Sequence, residues 1–348
     1  MTRSSARRLR VGIAGLGRLG WRHAEQLARY TPGCDLVAAC SPVPAELDAA
    51  HAQFGVTRLH AQVDALLADR EIDAVVLATP TTLHAEQVIA ALRSGKHVFV
   101  EKPLALNVED CERVQAVSRE HPQLVAMVGF VRRFDPSYRH AQQAIAAGTI
   151  GRPVIVRSQT ADMNDESGAF IRFARSSGGI FMDCSVHDID LARWLLGSPR
   201  ATRVFASGTI AIHEGLREMG DVDNAFALIE FEHGQRALLY ASRTFAHGHE
   251  TQTEIIGTAG NLLVGHGAPR DRVVLSDANG VRHQATVDFY ERFAEAFGRE
   301  MTGFVACCRG DEPPALSLAD ATEATRIGLA ITRSLRSGQP QEIVAAGP

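Results

Sequence analysis

The chain has 348 residues, of which 45% are hydrophobic and 22% charged, with a formal net charge of −4; that length fits about two domains better than one core. Beyond the cluster Arg3, Arg7, Arg8 and Arg10 nothing is basic enough for a nucleic-acid footprint, and no run of about 18 apolar residues offers a membrane span. Six cysteines show neither C-x-x-C pairs nor zinc-type spacing with histidines, so they read as reduced thiols and no metal is expected.

The arginine-rich start reads as a frayed terminus. It makes a poor signal peptide, because Gly12, Gly15, Gly17 and Gly20 interrupt the apolar run that follows, and a cytoplasmic protein is expected. From Leu9 the chain alternates short apolar runs with helical stretches. "LRVGIAGLG" is a strand entering glycines, "WRHAEQLARY" a helix, "CDLVAAC" a strand, "VDALLADREI" a helix, and "DAVVLATP" a strand. "HAEQVIAALRSG" is a helix closed by glycine, followed by the strand "HVFVEKP", the helix "VEDCERVQAVSREH" and the strand "QLVAMVGF". Strands that are apolar throughout and alternate with helices imply a parallel sheet covered on both faces. Residues 1–129 are therefore expected to form a doubly wound α/β domain of the Rossmann type.

After "VGFVRRFDPSY" the pattern changes. A helix around "YRHAQQAIAAG" precedes longer, more alternating runs: "PVIVRSQTA", "ATRVFASGTI", "NAFALIEFEHGQRALLYASRTF", "TQTEIIGTAGNLLVG" and "DRVVLSDANGVRHQATV". His233-Gly234, Ala259-Gly260-Asn261 and Asn279-Gly280 are turn signals between them, and helices are expected near 288–309 and 317–337. Residues 130–348 thus read as an α+β domain with a mostly antiparallel sheet. Segments such as "ALIEFEHGQRALLYAS" carry apolar residues on both faces, and an uncovered apolar face marks a partner surface; a homo-oligomer through that sheet is expected.

Two regions carry chemistry. In "VGIAGLGRLG", Gly15-x-Gly17-x-x-Gly20 joins the first strand to the first helix, where glycines let the backbone approach a pyrophosphate at a helix N-terminus. A ligand-free glycine turn is the alternative. Near the end of the second strand stands Ser41, with no Asp or Glu until Glu46. A hydroxyl can bond the adenosine ribose and does not repel a 2′-phosphate, but no arginine lies beside it; NAD is expected, with NADP open. Lys102 follows the carboxyl end of a central strand, where open α/β sheets present groups to a ligand, and Pro103 biases it toward an extended backbone. It can anchor a substrate oxygen or simply be a solvated lysine. In "GGIFMDCSVHDIDLARWLLG", Asp183 and His187 are four residues apart and on a helix would share a face. His187 can accept a hydroxyl proton, or pack as a buried histidine near Trp194; Asp183 can share the hydroxyl, orient the imidazole or cap the helix.

Gly15-Leu16-Gly17-Arg18-Leu19-Gly20, "ATPTTLH", "EKPLAL" and "DCSVHDIDLARWLLG", in this order, resemble the Gfo/Idh/MocA family of oxidoreductases, and with "MVGFVRRFDPSY" as well the likeness within it is to the inositol 2-dehydrogenases. The resemblance covers essentially the whole chain. It implies a Rossmann domain, a second domain built on a large open sheet, and a dimer or tetramer formed through sheet faces. It also implies that Leu16, Arg18, Leu19, Thr79, Pro80, His84, Glu101 and Lys102 join Gly15, Gly17 and Ser41 at the cofactor, and that Lys102, Asp183 and His187 are catalytic. The expected reaction is hydride transfer from a secondary alcohol of a cyclic polyol or sugar to NAD, with His187 taking the hydroxyl proton and Lys102 holding the same oxygen. Arg132, Arg133, Asn164, Asp165, Arg172 and Asp190 are candidates for the remaining hydroxyls. An aldose or other sugar dehydrogenase is the rival enzyme, and a non-catalytic sugar or dinucleotide sensor the rival of another class.

Overall fold

The computed structural model describes residues 7–265 and 269–344; Arg3 lies outside them. The chain forms two compact units. The first runs to Val131 and takes up Glu295–Thr322; the second is Arg132–Ala294 with the remainder from Glu323.

The first unit contains β1 (Leu9–Ala14), α1 (Arg18–Glu25), β2 (Cys34–Cys40), α2 (Pro44–Phe54), β3 (Arg58–His60), α3 (Val63–Ala68), β4 (Ala74–Leu77), α4 (His84–Arg93), β5 (His97–Glu101), α5 (Val108–Glu120) and β6 (Ala126–Gly129). Its six strands are parallel in the order β3-β2-β1-β4-β5-β6. Val11, Ile13, Val75, Val76, Val98 and Phe99 are fully buried, as strands covered on both faces must be. The order reverses direction at β1, the place where such sheets bind ligands. The start of the chain is not frayed where it is described. Arg8 pairs with Asp35 at 2.7 Å, and Arg10, already in β1, pairs with Asp73 at 2.8 Å and with Glu71 at 2.5 Å, because the turn before β4 presents carboxylates beside the first strand.

The second unit begins with α6 (Pro136–Ala146), β7 (Pro153–Met163), α7 (Ala169–Ser177), α8 (Ile180–Asp183) and α9 (Val186–Leu195). The strands β8 (Ala201–Thr209), β9 (Asn224–Phe231), β10 (Arg236–Phe245), β11 (Glu250–Gly257) and β12 (Asn261–Val264) follow. After them come a hairpin, β13 (Pro269–Asp277) and β14 (Gly280–Ala285), then α10 (Phe289–Arg292), α11 (Ala294–Cys308), α12 (Leu318–Ser337) and β15 (Gln341–Glu342). A seven-stranded sheet runs β12-β11-β7-β10-β9-β8-β15, antiparallel except between β7 and β10. Strand alternation gives it two faces. Val156, Ile229, Ala237 and Leu239 point to a buried side. Phe205, Phe226 and Leu238 stand 41%, 61% and 47% exposed on the other, and Phe226 stacks on Tyr240 across β9 and β10 at 4.8 Å.

The second domain expected as one continuous stretch, 130–348, is therefore interrupted. Most of α11 belongs to the first unit, where Phe304 meets Phe99 edge-on at 5.7 Å and Phe297 meets His23 at 5.8 Å. Aromatic burial on that sheet is the physical reason.

Candidate functional site

The parallel register aligns Ala14, Cys40, Leu77 and Val100 across four strands, so Gly15, Ser41, Ala78 and Glu101 emerge side by side at one sheet edge. Gly15 has φ 85°, and a Cβ there would lie 2.4 Å from the Ala78 carbonyl oxygen; a Cβ on Gly20 would lie 1.8 Å from that of Gly15. These two glycines are demanded by the packing of the protein on itself. Gly17 is different. A Cβ on it would meet nothing within 4 Å, and Gly17 caps α1 without a side-chain hydrogen bond to the first amides. A pyrophosphate fits this open cradle, since it needs both close backbone approach and uncapped helix amides. Leu16 is buried beside it, Leu19 half-buried and Arg18 exposed.

Around Lys102 three groups tie the strand ends together. His84, 1% exposed at the start of α4, contacts the Pro103 carbonyl through Nδ1 and the Thr79 carbonyl through Nε2, each at 2.9 Å. Both partners are acceptors, so only a doubly protonated ring donates to both. Burial pushes the His84 pKa down, and near neutral pH the ring therefore donates one bond at a time. Thr79 Oγ1 donates to Gln87 at 2.5 Å, and Pro80 leads into a short 3₁₀ turn, Thr81–Leu83. Glu101 turns inward: its carboxylate meets His23 Nε2 at 2.7 Å and accepts the Lys102 amide at 3.1 Å. The side chains of Glu101 and His84, both expected at the cofactor, thus make these contacts within the first unit. Their side chains brace the backbone on either side of the half-buried Lys102, whose peptide bond to Pro103 is cis.

In the second unit, Asp183 and His187 do not share one continuous helix. Asp183 ends α8, the Ser185 amide reaches back five residues to the Ile180 carbonyl at 3.2 Å, and α9 begins at Val186. This widened turn displaces the simple four-residue helical spacing. Asp183 accepts Arg243 Nη2 at 2.7 Å, and Arg243 Nε donates to Cys184 Sγ at 3.3 Å. The His249 ring bonds Asp162 through Nδ1 at 2.8 Å. Burial alone would raise the Asp162 pKa, but the bond and charge of His249, with the Arg243 charge, hold it below the usual range. Burial pushes the Cys184 thiol far up, so it stays protonated. Asn164, just past β7, has its Oδ1 buried and unmatched among the described residues.

Other candidates make contacts within the second unit. Arg132, 3% exposed, donates to Asp188 at 2.8 Å and to Thr160 at 2.7 Å, and Asp188 accepts Ser158 and Thr160 hydroxyls, both at 2.6 Å. Arg133 and Asp190 form a buried two-point pair at 2.6 and 2.8 Å. Asp165 accepts the amides of Ser167 and Phe170, closing a turn, and Arg172 is exposed on α7. A buried guanidinium requires such carboxylates, which accounts for the pairing of Arg132 with Asp188 and of Arg133 with Asp190.

Residues 9–130 match the oxidoreductase family with the NAD-binding Rossmann fold, Gfo/Idh/MocA, and residues 138–263 match the Gfo/Idh/MocA C-terminal domain. The chain belongs to the Gfo/Idh/MocA family. It is 37% identical to the scyllo-inositol 2-dehydrogenase (NAD(+)) of Bacillus subtilis, over 96% of each chain. It is 32% identical to the myo-inositol 2-dehydrogenase of Thermotoga maritima, over 97% of this chain and 100% of that one. The crystal structure of a scyllo-inositol dehydrogenase from Lactobacillus casei with bound NAD(H) and scyllo-inositol superimposes with a TM-score of 0.93 at 36% identity. That match covers 97% of this chain and 100% of the other.

In this Gfo/Idh/MocA chain the sequence reading missed Arg243, Asp162 and His249. A signal existed for two of them. Leu239, Ala241 and Arg243 alternate on the inward face of β10, and Ser158, Thr160 and Asp162 do so on β7; a lone charge at an inward strand position calls for a partner of opposite sign.

Proposed function

We propose that this chain is an NAD-dependent inositol 2-dehydrogenase, oxidising one secondary alcohol of scyllo- or myo-inositol to the ketone. The observation that carries this reading is the end-to-end likeness to the Lactobacillus casei enzyme holding both NAD(H) and scyllo-inositol. When bound, NAD supplies the acceptor for the hydride that leaves the carbinol carbon. Lys102 donates hydrogen bonds to the alcohol oxygen and stabilises the negative charge that develops on it. A ring nitrogen of His187 accepts the hydroxyl proton. Asp183, oriented by Arg243, fixes the substrate hydroxyl and the imidazole, and the Oδ1 of Asn164, unmatched among the described residues, accepts from a further ring hydroxyl.

Steady-state oxidation of myo-inositol, scyllo-inositol and simple aldoses tests this. An inositol is expected to be the best substrate, with kcat reduced about 100-fold or more in Lys102→Met and in His187→Ala. Near-normal kcat in both variants sinks the site assignment, and a best substrate among the aldoses sinks the inositol reading.

Self-association into a dimer or tetramer belongs to the same proposal, supported by the exposed Phe205, Phe226 and Leu238 on the outer sheet face. So does a cytoplasmic location, which fits six cysteines that are all thiols.

A further inference from the structure

Dinucleotide-binding sheets usually end β2 in an acidic residue for the adenosine ribose, and here Ser41 stands at that place. Its hydroxyl accepts the Val43 amide at 3.1 Å and donates to Glu46 Oε2. Ser41 is 1% exposed, whereas Glu46 is half-buried in the first turn of α2. Pro44 occupies an opening position of that helix, where its fixed φ suits helix initiation. The helix thus starts at once, and the loop folds a carboxylate back onto the strand end that lacks one. Backbone bonds fix this loop beside the glycine turn: the Gly15 amide donates to the Cys40 carbonyl at 2.9 Å, and the Ser41 amide to that of His60 at 3.1 Å. Among the described residues no cation pairs with Glu46, and the only hydrogen bond to its carboxylate is the one from Ser41.

We propose that Glu46, held by Ser41, is the acid that accepts hydrogen bonds from the adenosine ribose hydroxyls and thereby selects NAD over NADP. The proposal rests on the NAD-dependent reading above. A carboxylate can only accept, which suits a donating 2′-hydroxyl; a 2′-phosphate offers acceptors and negative charge, and both are repelled. The acid has moved five residues along the chain without leaving the strand end, and the Ser41 hydroxyl bridges the gap.

The test is calorimetric titration with NAD and NADP in the absence of polyol, using wild type, Glu46→Gln, Glu46→Lys and Ser41→Ala. Wild type is expected to prefer NAD by about 100-fold. Loss of a hydrogen bond to a charged group should weaken NAD binding about 10-fold or more in Glu46→Gln. Glu46→Lys brings NADP at least to parity, and Ser41→Ala, which unlocks the carboxylate without removing it, lowers the preference by a smaller factor. Melting curves that match wild type separate these effects from misfolding. A wild type without preference, or a preference in both Glu46 variants within about twofold of wild type, overturns the proposal. Because no polyol is present, selective NAD binding by an enzyme that fails to oxidise inositol would strike only the substrate assignment above.

Discussion

Three glycines within six residues answer to different demands. Gly15 has a left-handed backbone and the Ala78 carbonyl in the way of any Cβ; Gly15→Ala should cost well over ~1 kcal/mol of stability with or without cofactor. Gly17 faces open space, and aspartate is a better helix N-cap than glycine. Gly17→Asp is therefore expected to melt at or above the wild-type temperature while its carboxylate, set against a pyrophosphate, lowers NAD affinity about 100-fold or more. Thermal denaturation without cofactor and calorimetric NAD titration check the pair. If Gly17→Asp binds NAD normally, the cradle is misassigned. The G-x-G-x-x-G spacing was legible in the sequence, but which glycine serves the fold and which the ligand was not, because that depends on Ala78, far along the chain. Ser41 and Glu46 were each legible too. Their hydrogen bond was not, since it depends on how sharply α2 begins.

Helix α11 carries Glu300 into the first unit with no exposure, its carboxylate within 4.8 Å of His23 and Glu101 and both oxygens without a hydrogen-bond partner among the described residues. Burial, with the Glu101 charge acting in the same direction, pushes its pKa well above the usual range. The folded chain then holds a proton that the unfolded chain releases near pH ~4.3, so stability falls as pH climbs from there toward the folded-state pKa. Glu300→Gln removes that penalty and can donate its amide to Glu101. Its melting temperature should exceed wild type by several degrees at about pH 8, with the gap closing toward about pH 4.5. A gap independent of pH would contradict this.

At the same scale, the central strands β1, β4 and β5 were readable because strands buried on both faces must be apolar throughout. Helix α2 escaped because Ala50 is its one buried residue, with Leu47 and Phe54 only half-buried beside it, and β3 because the three residues Arg58, Leu59 and His60, largely exposed at a sheet edge, carry no pattern. Periodicity showed that 288–309 was helical and had a buried face. It could not show that the face lies against Phe99.

For the molecule as a whole, the outer face of the seven-stranded sheet sets the expected assembly. Phe205, Leu228 and Leu238 align across β8, β9 and β10, and the Phe226–Tyr240 stack adjoins them. Phe226→Asp places a charge in the middle of that face. In sedimentation velocity at micromolar concentration, wild type should run as a dimer or larger and Phe226→Asp should shift toward monomer; a monomeric wild type defeats the assembly reading. The two-part make-up of the first unit has its own effect during synthesis. The helix bearing Phe297 and Phe304 leaves the ribosome after nearly all of the second unit has been made. Until then the nascent N-terminal sheet exposes the ring of Phe99 and the buried glutamate below it. A chain released at Val131 would thus be the species most dependent on chaperones, and an isolated nucleotide-binding half should not be expected to fold.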